Sequence, residues 1–273
     1  MGIVEVKNLS FQVSPEKESA VLRAISFTVE KGELFSVIGR NGSGKTTLAR
    51  HLNALLLPQQ GTVTVCGLDA SDADNSSEIR KKCGMVFAPS SERFLSSTVL
   101  GEVSFAAKCA LADKKEAEEK GAEYLKYTGM SGKENARIAS LTGVEALCVQ
   151  LAAVLVSEPE ILLLDDAALR LSEADMDKYF SLLTKMKKDG KTLILFTGRY
   201  EEAAMADRVL LLNKGCVAEC GFPREVLTDR ERLTKAGIEL PFSLKVYYDF
   251  LDNNIKLEKP PLNMRELVKE ICL

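Results

Sequence analysis

The chain of 273 residues is 46% hydrophobic and 27% charged, the composition of an ordinary globular protein long enough for one large domain with an appendage. Its 36 basic and 39 acidic residues are interspersed and leave a net charge of −3, so no basic field points to nucleic acid as a partner. Seven cysteines, an odd set, follow a start (Met1-Gly2-Ile3-Val4-Glu5) that has neither the basic region nor the apolar run of a secretory leader, which predicts a reducing, cytosolic compartment.

In chain order, strand-like runs occur at Ile3–Val6, Ile25–Val29, Leu34–Ile38, Thr62–Val65, Met85–Phe87, Ile161–Leu164, Leu193–Phe196 and Val209–Leu212. The early runs alternate, Val63 and Val65 against Thr62 and Thr64, as in a half-exposed antiparallel sheet; several later runs are apolar throughout, as in a parallel sheet covered on both faces. Strand signals vanish between Thr98 and Val156, where Ala106–Tyr127 is rich in the helix formers Ala, Glu and Lys, predicting a helical subdomain over about 98–157 inserted into the sheet. The longest apolar stretches, such as Leu147–Val156, fall short of the roughly 20 residues a membrane helix requires. Cys216 and Cys220 lack a second cluster, and His51 is the only histidine, so zinc binding is not expected. Beyond Pro223, helical patterns at Arg224–Thr228, Phe242–Leu251 and Met264–Ile271, broken by Pro241, Pro260 and Pro261, predict a small C-terminal extension. The expected class is α/β, with a main domain at 1–222 and the extension at 223–273.

Gly39-Arg40-Asn41-Gly42-Ser43-Gly44-Lys45-Thr46 fits the pattern Gly-x-x-x-x-Gly-Lys-Thr and sits between the apolar strand Leu34–Ile38 and a helical pattern carrying Leu48, Leu52, Leu55 and Leu56. With Gly at about 7% of residues, such a match arises by chance in roughly one chain per hundred of this length. The glycines let backbone N–H groups turn toward an anion and the following helix adds the positive end of its dipole. Lys45 can then reach the β and γ phosphates and Thr46 can coordinate magnesium, with Thr47 completing the ATP-binding set. Ile161-Leu162-Leu163-Leu164 ends in Asp165 and Asp166; Asp165 is the expected magnesium holder, although two acids at a strand end also suit a helix cap. The fold expected from this loop is that of a P-loop NTPase binding ATP and Mg2+. A guanine-specific switch is disfavoured, because Asn213-Lys214-Gly215-Cys216 lacks the aspartate of an Asn-Lys-x-Asp motif.

These motifs, together with Asn8-Leu9-Ser10-Phe11, Ile79–Phe87, Ala206-Asp207-Arg208-Val209, Gly221–Val226 and the tail segment Ala236-Gly237-Ile238-Glu239-Leu240-Pro241, resemble the ATPase subunits of ABC transporters, and more closely those of energy-coupling factor (ECF) transporters, importers of vitamins and metal ions. The resemblance covers essentially the whole chain. It implies a peripheral subunit on the cytoplasmic face of the cell membrane, partnered by a second ABC ATPase subunit, a membrane scaffold subunit and a substrate-binding membrane subunit, with each ATP held between one phosphate loop and the other subunit's signature segment. Against the family pattern, the catalytic glutamate is Asp166, which retracts the carboxylate by about 1.5 Å; a misplacement of about 1 Å can lower a rate on the order of a hundredfold. The switch histidine is Gly198, the glutamine after Met85-Val86-Phe87 is Ala88, and the adenine-stacking aromatic is Val13, with Phe11 as an alternative. Ser172 stands where an aspartate contacts the other subunit. The signature reads Leu141-Thr142-Gly143-Val144-Glu145, in which Val144 and Glu145 are expected to oppose a tight sandwich; the same stretch also fits a capped helix start. The expected function is that of an ATP-binding subunit of an ECF-type importer, the degenerate member of a heterodimer with weak or absent hydrolysis of its own, with a non-transport ATP-binding regulatory module or a self-sufficient homodimeric ATPase as alternatives.

Overall fold

The computed structural model describes residues 2–13, 21–88, 94–111, 113–255 and 257–272; Met1 and Leu273, the outer limits of the two predicted segments, lie outside these. Four strands, β1 (Val4–Phe11), β2 (Leu22–Val29), β4 (Gln60–Val65) and the short β5 (Leu68–Asp69), form an antiparallel sheet in the order β2-β1-β4-β5. Alternation explains its one-sided burial: Ile25, Phe27 and Val29 face the core while Ser26 and Thr28 between them are exposed. The register of β1 shifts on either side of Leu9. There Asn8 takes a positive φ of 52° and its N–H donates to Ser26 Oγ at 2.8 Å, so the bulge is tied down by a side chain.

The second sheet holds β3 (Leu34–Ile38), β6 (Cys83–Phe87), β7 (Ile161–Asp165), β8 (Thr192–Thr197), β9 (Arg208–Asn213) and β10 (Cys216–Gly221) in the order β10-β9-β3-β8-β7-β6. All neighbours are parallel except β10, which pairs antiparallel with β9. Every residue of β3, β7 and β8 is buried, because successive side chains enter two different cores. Leu34, Ile38, Leu162, Leu164, Leu193 and Leu195 join the helical layer; Phe35, Val37, Ile161, Leu163, Ile194 and Phe196 join the layer beneath α1 (Lys45–Leu52) and the antiparallel sheet.

After α2 (Ser76–Lys82), the predicted helical stretch Ala106–Tyr127 divides into α3 (Val99–Ala110) and α4 (Lys114–Tyr127), with Ala112 between them outside the described residues. These pack on α5 (Gly143–Leu155), whose mostly apolar sequence is buried in the larger core. Then follow α6 (Glu173–Lys188), the short α7 (Tyr200–Ala204) and, past β10, α8 (Pro223–Leu227), α9 (Arg230–Ala236), α10 (Phe242–Asp252) and α11 (Met264–Ile271). Leu233, Ala236, Ile238 and Leu244 of this last stretch belong to the same core as the sheet. Among the described residues no helix is long and apolar enough to cross a membrane.

Strand order positions the site. β8 lies between β3 and β7 with Ile38 opposite Thr197 and Asp165 opposite Phe196, so Gly39, Asp165–Asp166 and Gly198 emerge side by side at the carboxyl edge, where open α/β sheets bind ligands. The β9–β10 hairpin clamps this edge. Its two-residue turn, Lys214 (φ 48°) and Gly215 (φ 77°), has the positive φ pair of a type I′ turn. Gly215 N–H donates to Ser43 O at 2.9 Å and Gly215 O accepts from Arg23 N at 2.8 Å, while a Cβ on Gly215 would stand 2.3 Å from Val21 O. Gly215→Ala is therefore expected to destabilise the chain by about 2 kcal/mol or more through overpacking against backbone; a urea-unfolding shift below about 0.5 kcal/mol, the range of neutral surface changes, would contradict this clamp.

Candidate functional site: the phosphate loop and the strand-end carboxylates

The loop leaves β3 at Gly39, whose N–H donates to Thr197 O at 3.2 Å. Glycine is dictated here by crowding, since a Cβ would lie 2.4 Å from Ser43 Oγ and 2.5 Å from Leu212 O. Gly44 enters α1 at φ 108°, with a would-be Cβ 2.9 Å from Leu22 Cδ2. Ser43 N–H turns back to Arg40 O at 3.1 Å, closing the loop around the first turn of α1, where the N–H groups of Lys45, Thr46 and Thr47 have no partner in the preceding turn. The Lys45 side chain, only 4% exposed, lies inside this ring and its ammonium donates to Gly39 O at 2.8 Å and Arg40 O at 3.4 Å. The helix dipole and the lysine thus converge on one small volume.

Thr46 Oγ1 donates to Asp165 Oδ1 at 3.1 Å, joining the loop to the end of β7. Asp165 is 6% exposed, and that burial pushes its carboxyl above the usual aspartate range; the Thr46 hydrogen bond opposes the shift and the neighbouring Asp166 adds to it. Asp166 adopts φ 49° and donates its N–H to Phe196 O at 2.8 Å, which turns the chain sharply off the sheet. Asp165 O accepts from Ala88 N at 3.1 Å. Gly198 is exposed, and among the described residues a Cβ built there would find only Gly39 O, at 3.7 Å. The structure therefore brings Gly39–Thr47, Asp165, Asp166, Ala88 and Gly198 into one cluster.

Other predicted positions lie elsewhere. Val13 is 63% exposed past the end of β1. Phe11, the alternative, is half-buried, its ring edge-on to His51 with centroids 4.7 Å apart. Ser172 precedes α6 and donates to Asp175 Oδ2 at 2.7 Å, a local bond within its own helix start. At α5, Thr142 and Glu145 form a complete capping box, with Glu145 N–H donating to Thr142 Oγ1 at 3.4 Å and Thr142 N–H to Glu145 Oε2 at 3.0 Å. Gly143 packs under the 170–171 segment, where a Cβ would stand 3.1 Å from Arg170 O.

The expected roles of Val144 and Glu145 need correction. Val144 is 5% exposed and belongs to the core, because its place in the first turn of α5 points it inward; it presents no branched side chain to a neighbouring subunit. Glu145 is ion-paired with Lys133 as well as capping Thr142, and this pairing holds its carboxyl below the usual range, so its charge is largely answered within the chain.

Sequence reasoning also missed a buried network behind Gly198. Thr197 Oγ1 donates to Glu202 Oε2 at 2.5 Å and accepts from Arg199 N at 2.9 Å, and Tyr179 OH donates to Glu202 Oε1 at 2.8 Å. Burial raises the Glu202 carboxyl, with the Thr197 and Tyr179 hydrogen bonds working against the rise. Arg199 in turn reaches Glu173 at 2.7 Å and Ala168 O at 3.4 Å. The network fixes the backbone on which Gly198 sits. Its sole local signal is an acid, Glu202, inside a short helix otherwise leading into the core.

Because folding raises the Asp165 pKa, the folded chain holds that proton more tightly than the unfolded chain. The ionised carboxylate therefore subtracts stability above its folded pKa, and the penalty disappears below the unfolded value of about 3.9. Asp165→Asn is expected to increase the urea midpoint at neutral pH, the difference shrinking toward about pH 4. A variant less stable than wild type at neutral pH would contradict this assignment of the strain.

The profile of the ABC transporter family matches residues 22–169. The energy-coupling factor transporter ATP-binding protein EcfA1 of Clostridium perfringens is 32% identical over 258 residues, covering 94% of this chain and 92% of that protein. The EcfA1 of Caldanaerobacter subterraneus is 34% identical over 274 residues, with 99% of each chain covered. Among solved structures, cbiO1 from Clostridium perfringens, part of the ABC transporter complex cbiONQ, superposes with a TM-score of 0.78 at 27% identity over 90% of this chain and 98% of that one. With this end-to-end similarity and the loop geometry above, the chain belongs to the ABC transporter family as an ATP-binding protein most like those of energy-coupling factor transporters.

Proposed function

We propose that this chain is the ATP-binding subunit of an ECF-type importer and the catalytically degenerate member of a heterodimer that drives uptake of a vitamin or metal ion. The observation that carries the reading is the contrast within one cluster: the Lys45 ring and the Thr46–Asp165 pair are complete, whereas Asp166, Ala88 and Gly198 stand where the family places a glutamate, a glutamine and a histidine.

The residues present fit magnesium-bound ATP. Gly42 adopts φ 79°, and among the described residues nothing lies within 4 Å of a would-be Cβ, so the loop is uncrowded there. Ser43 Oγ is buried with no hydrogen-bond partner among the described residues, and the Thr46 hydroxyl and Asp165 carboxylate supply hard oxygen ligands. When bound, Mg2+ neutralises charge on the β and γ phosphates. Lys45 holds the same phosphates through its ammonium, and Gly39–Thr47 orients them through backbone N–H groups. Asp166, one methylene short of glutamate, is left to accept a proton from water at a longer reach, and Gly198 offers no side chain to the γ phosphate.

The partners follow from the same reading: a second ATPase subunit, a membrane scaffold subunit and a substrate-binding membrane subunit, with the chain peripheral on the cytoplasmic face. Leu95, Leu100 and Phe105 on and before α3 are exposed apolar side chains available to the scaffold subunit.

Restoring the missing groups tests the reading. Gly198 has room for a side chain, so Asp166→Glu combined with Gly198→His is expected to raise phosphate release by the complex at least tenfold, each residue contributing within the range of general-base and electrostatic effects. Unchanged turnover in a double variant that still binds ATP would overturn the assignment of these positions as the catalytic deficit.

A further inference from the structure

The C-terminal extension reaches the phosphate loop. Gly237 ends α9 at φ 70°, and a Cβ there would lie 3.2 Å from Arg40 Cδ and 3.8 Å from Arg40 Cβ and Nε. The stem of Arg40, an exposed residue, therefore lies over Gly237, close enough that any side chain there would crowd it. This support is rigid: Ile238 N–H returns to Leu233 O at 3.0 Å and Gly237 N–H to Thr234 O at 3.0 Å, the pattern of a Schellman end, and Leu233, Ala236 and Ile238 are buried in the main core.

Arg40 faces two ways. Its carbonyl accepts from Ser43 N at 3.1 Å and from the Lys45 ammonium at 3.4 Å, the bonds that close the loop and hold the lysine, while its side chain lies on the extension. A rotation of the 40–41 backbone on phosphate binding would move both. Two further bonds tie the extension to the same edge of the sheet. Asn213 Nδ2, one residue past the Leu212 carbonyl that crowds Gly39, donates to Lys235 O at 3.4 Å. Tyr200 OH, two residues past Gly198, donates to Leu227 O at 3.2 Å.

We infer that Arg40 is a positioning residue that couples nucleotide occupancy of the phosphate loop to the order of residues 230–240, acting through the apolar stem of its side chain on Gly237. The inference rests on the nucleotide reading of the loop. Coupling of this kind is reciprocal, so a phosphate bound at the loop steadies the extension, and an extension held by another subunit tightens nucleotide binding.

Hydrogen exchange on the full chain with and without magnesium and ATP tests it. In the wild type, saturating ATP is expected to slow exchange in residues 39–47 and, by threefold or more, in residues 230–240. With ATP raised for each variant until its loop protection matches that of the wild type, Arg40→Met, which keeps the stem and removes the charge, is expected to retain the protection of 230–240. Under the same matching, Arg40→Ala is expected to lose it. The coupling is overturned by a wild-type extension indifferent to ATP while the loop is protected. It is equally overturned by Arg40→Ala retaining the distal protection, or by Arg40→Met behaving as Arg40→Ala, which would make charge the agent. Absence of protection at the loop itself would overturn the nucleotide reading, and with it the coupling, and is recognised by its location.

Discussion

Burying a parallel sheet on both faces is the constraint from which the rest follows. β3, β7 and β8 are buried at every position and largely apolar, so the acids and the phosphate loop lie at or beyond the strand ends, and parallel pairing aligns those ends on one edge. Asp165 is the last residue of β7 and Gly39 the first after β3. The insertion of β8 between them brings Thr197 and Gly198 alongside without any loop having to travel. The hairpin turn at Lys214–Gly215 then braces the loop from the outer side of the sheet.

That arrangement places opposite demands on the same residues. Asp165 is buried far enough to resist ionisation, yet it is held by a hydroxyl and faces a buried ammonium, an environment that becomes favourable for a carboxylate once a divalent cation is present. Lys45 is kept inside the loop by two carbonyls rather than by an acid, so its charge is not cancelled and remains directed at the volume enclosed by the N–H groups. Binding chemistry is thus built from backbone and short hydrogen bonds. In the proposed reading, hydrolytic chemistry would depend on three positions held here by Asp166, Ala88 and Gly198.

What was legible in the sequence reflects which constraints are local. The phosphate loop requires glycine where the backbone is crowded or left-handed, at Gly39 and Gly44, and those requirements recur at fixed spacing. Most of the buried strands show as apolar runs, β3 being interrupted only by Ser36. By contrast β10, Cys-Val-Ala-Glu-Cys-Gly, is a half-exposed edge strand without clean alternation, and it escaped notice along with its turn. The Thr197–Glu202–Tyr179 network joins residues distant in the chain by hydrogen bonds that no period announces. Val144 was misjudged because a motif gives a position along α5 but not the face it occupies, which is set by packing against the core.

The central claim, a site that holds ATP better than it breaks it, is tested most directly by titrating the isolated chain with ATP in the presence of magnesium while following phosphate release. Binding in the micromolar range with turnover orders of magnitude below about 10 per second, the typical enzyme value, is the result this account predicts. Turnover near that value by the chain alone, lost in Lys45→Ala, would contradict it.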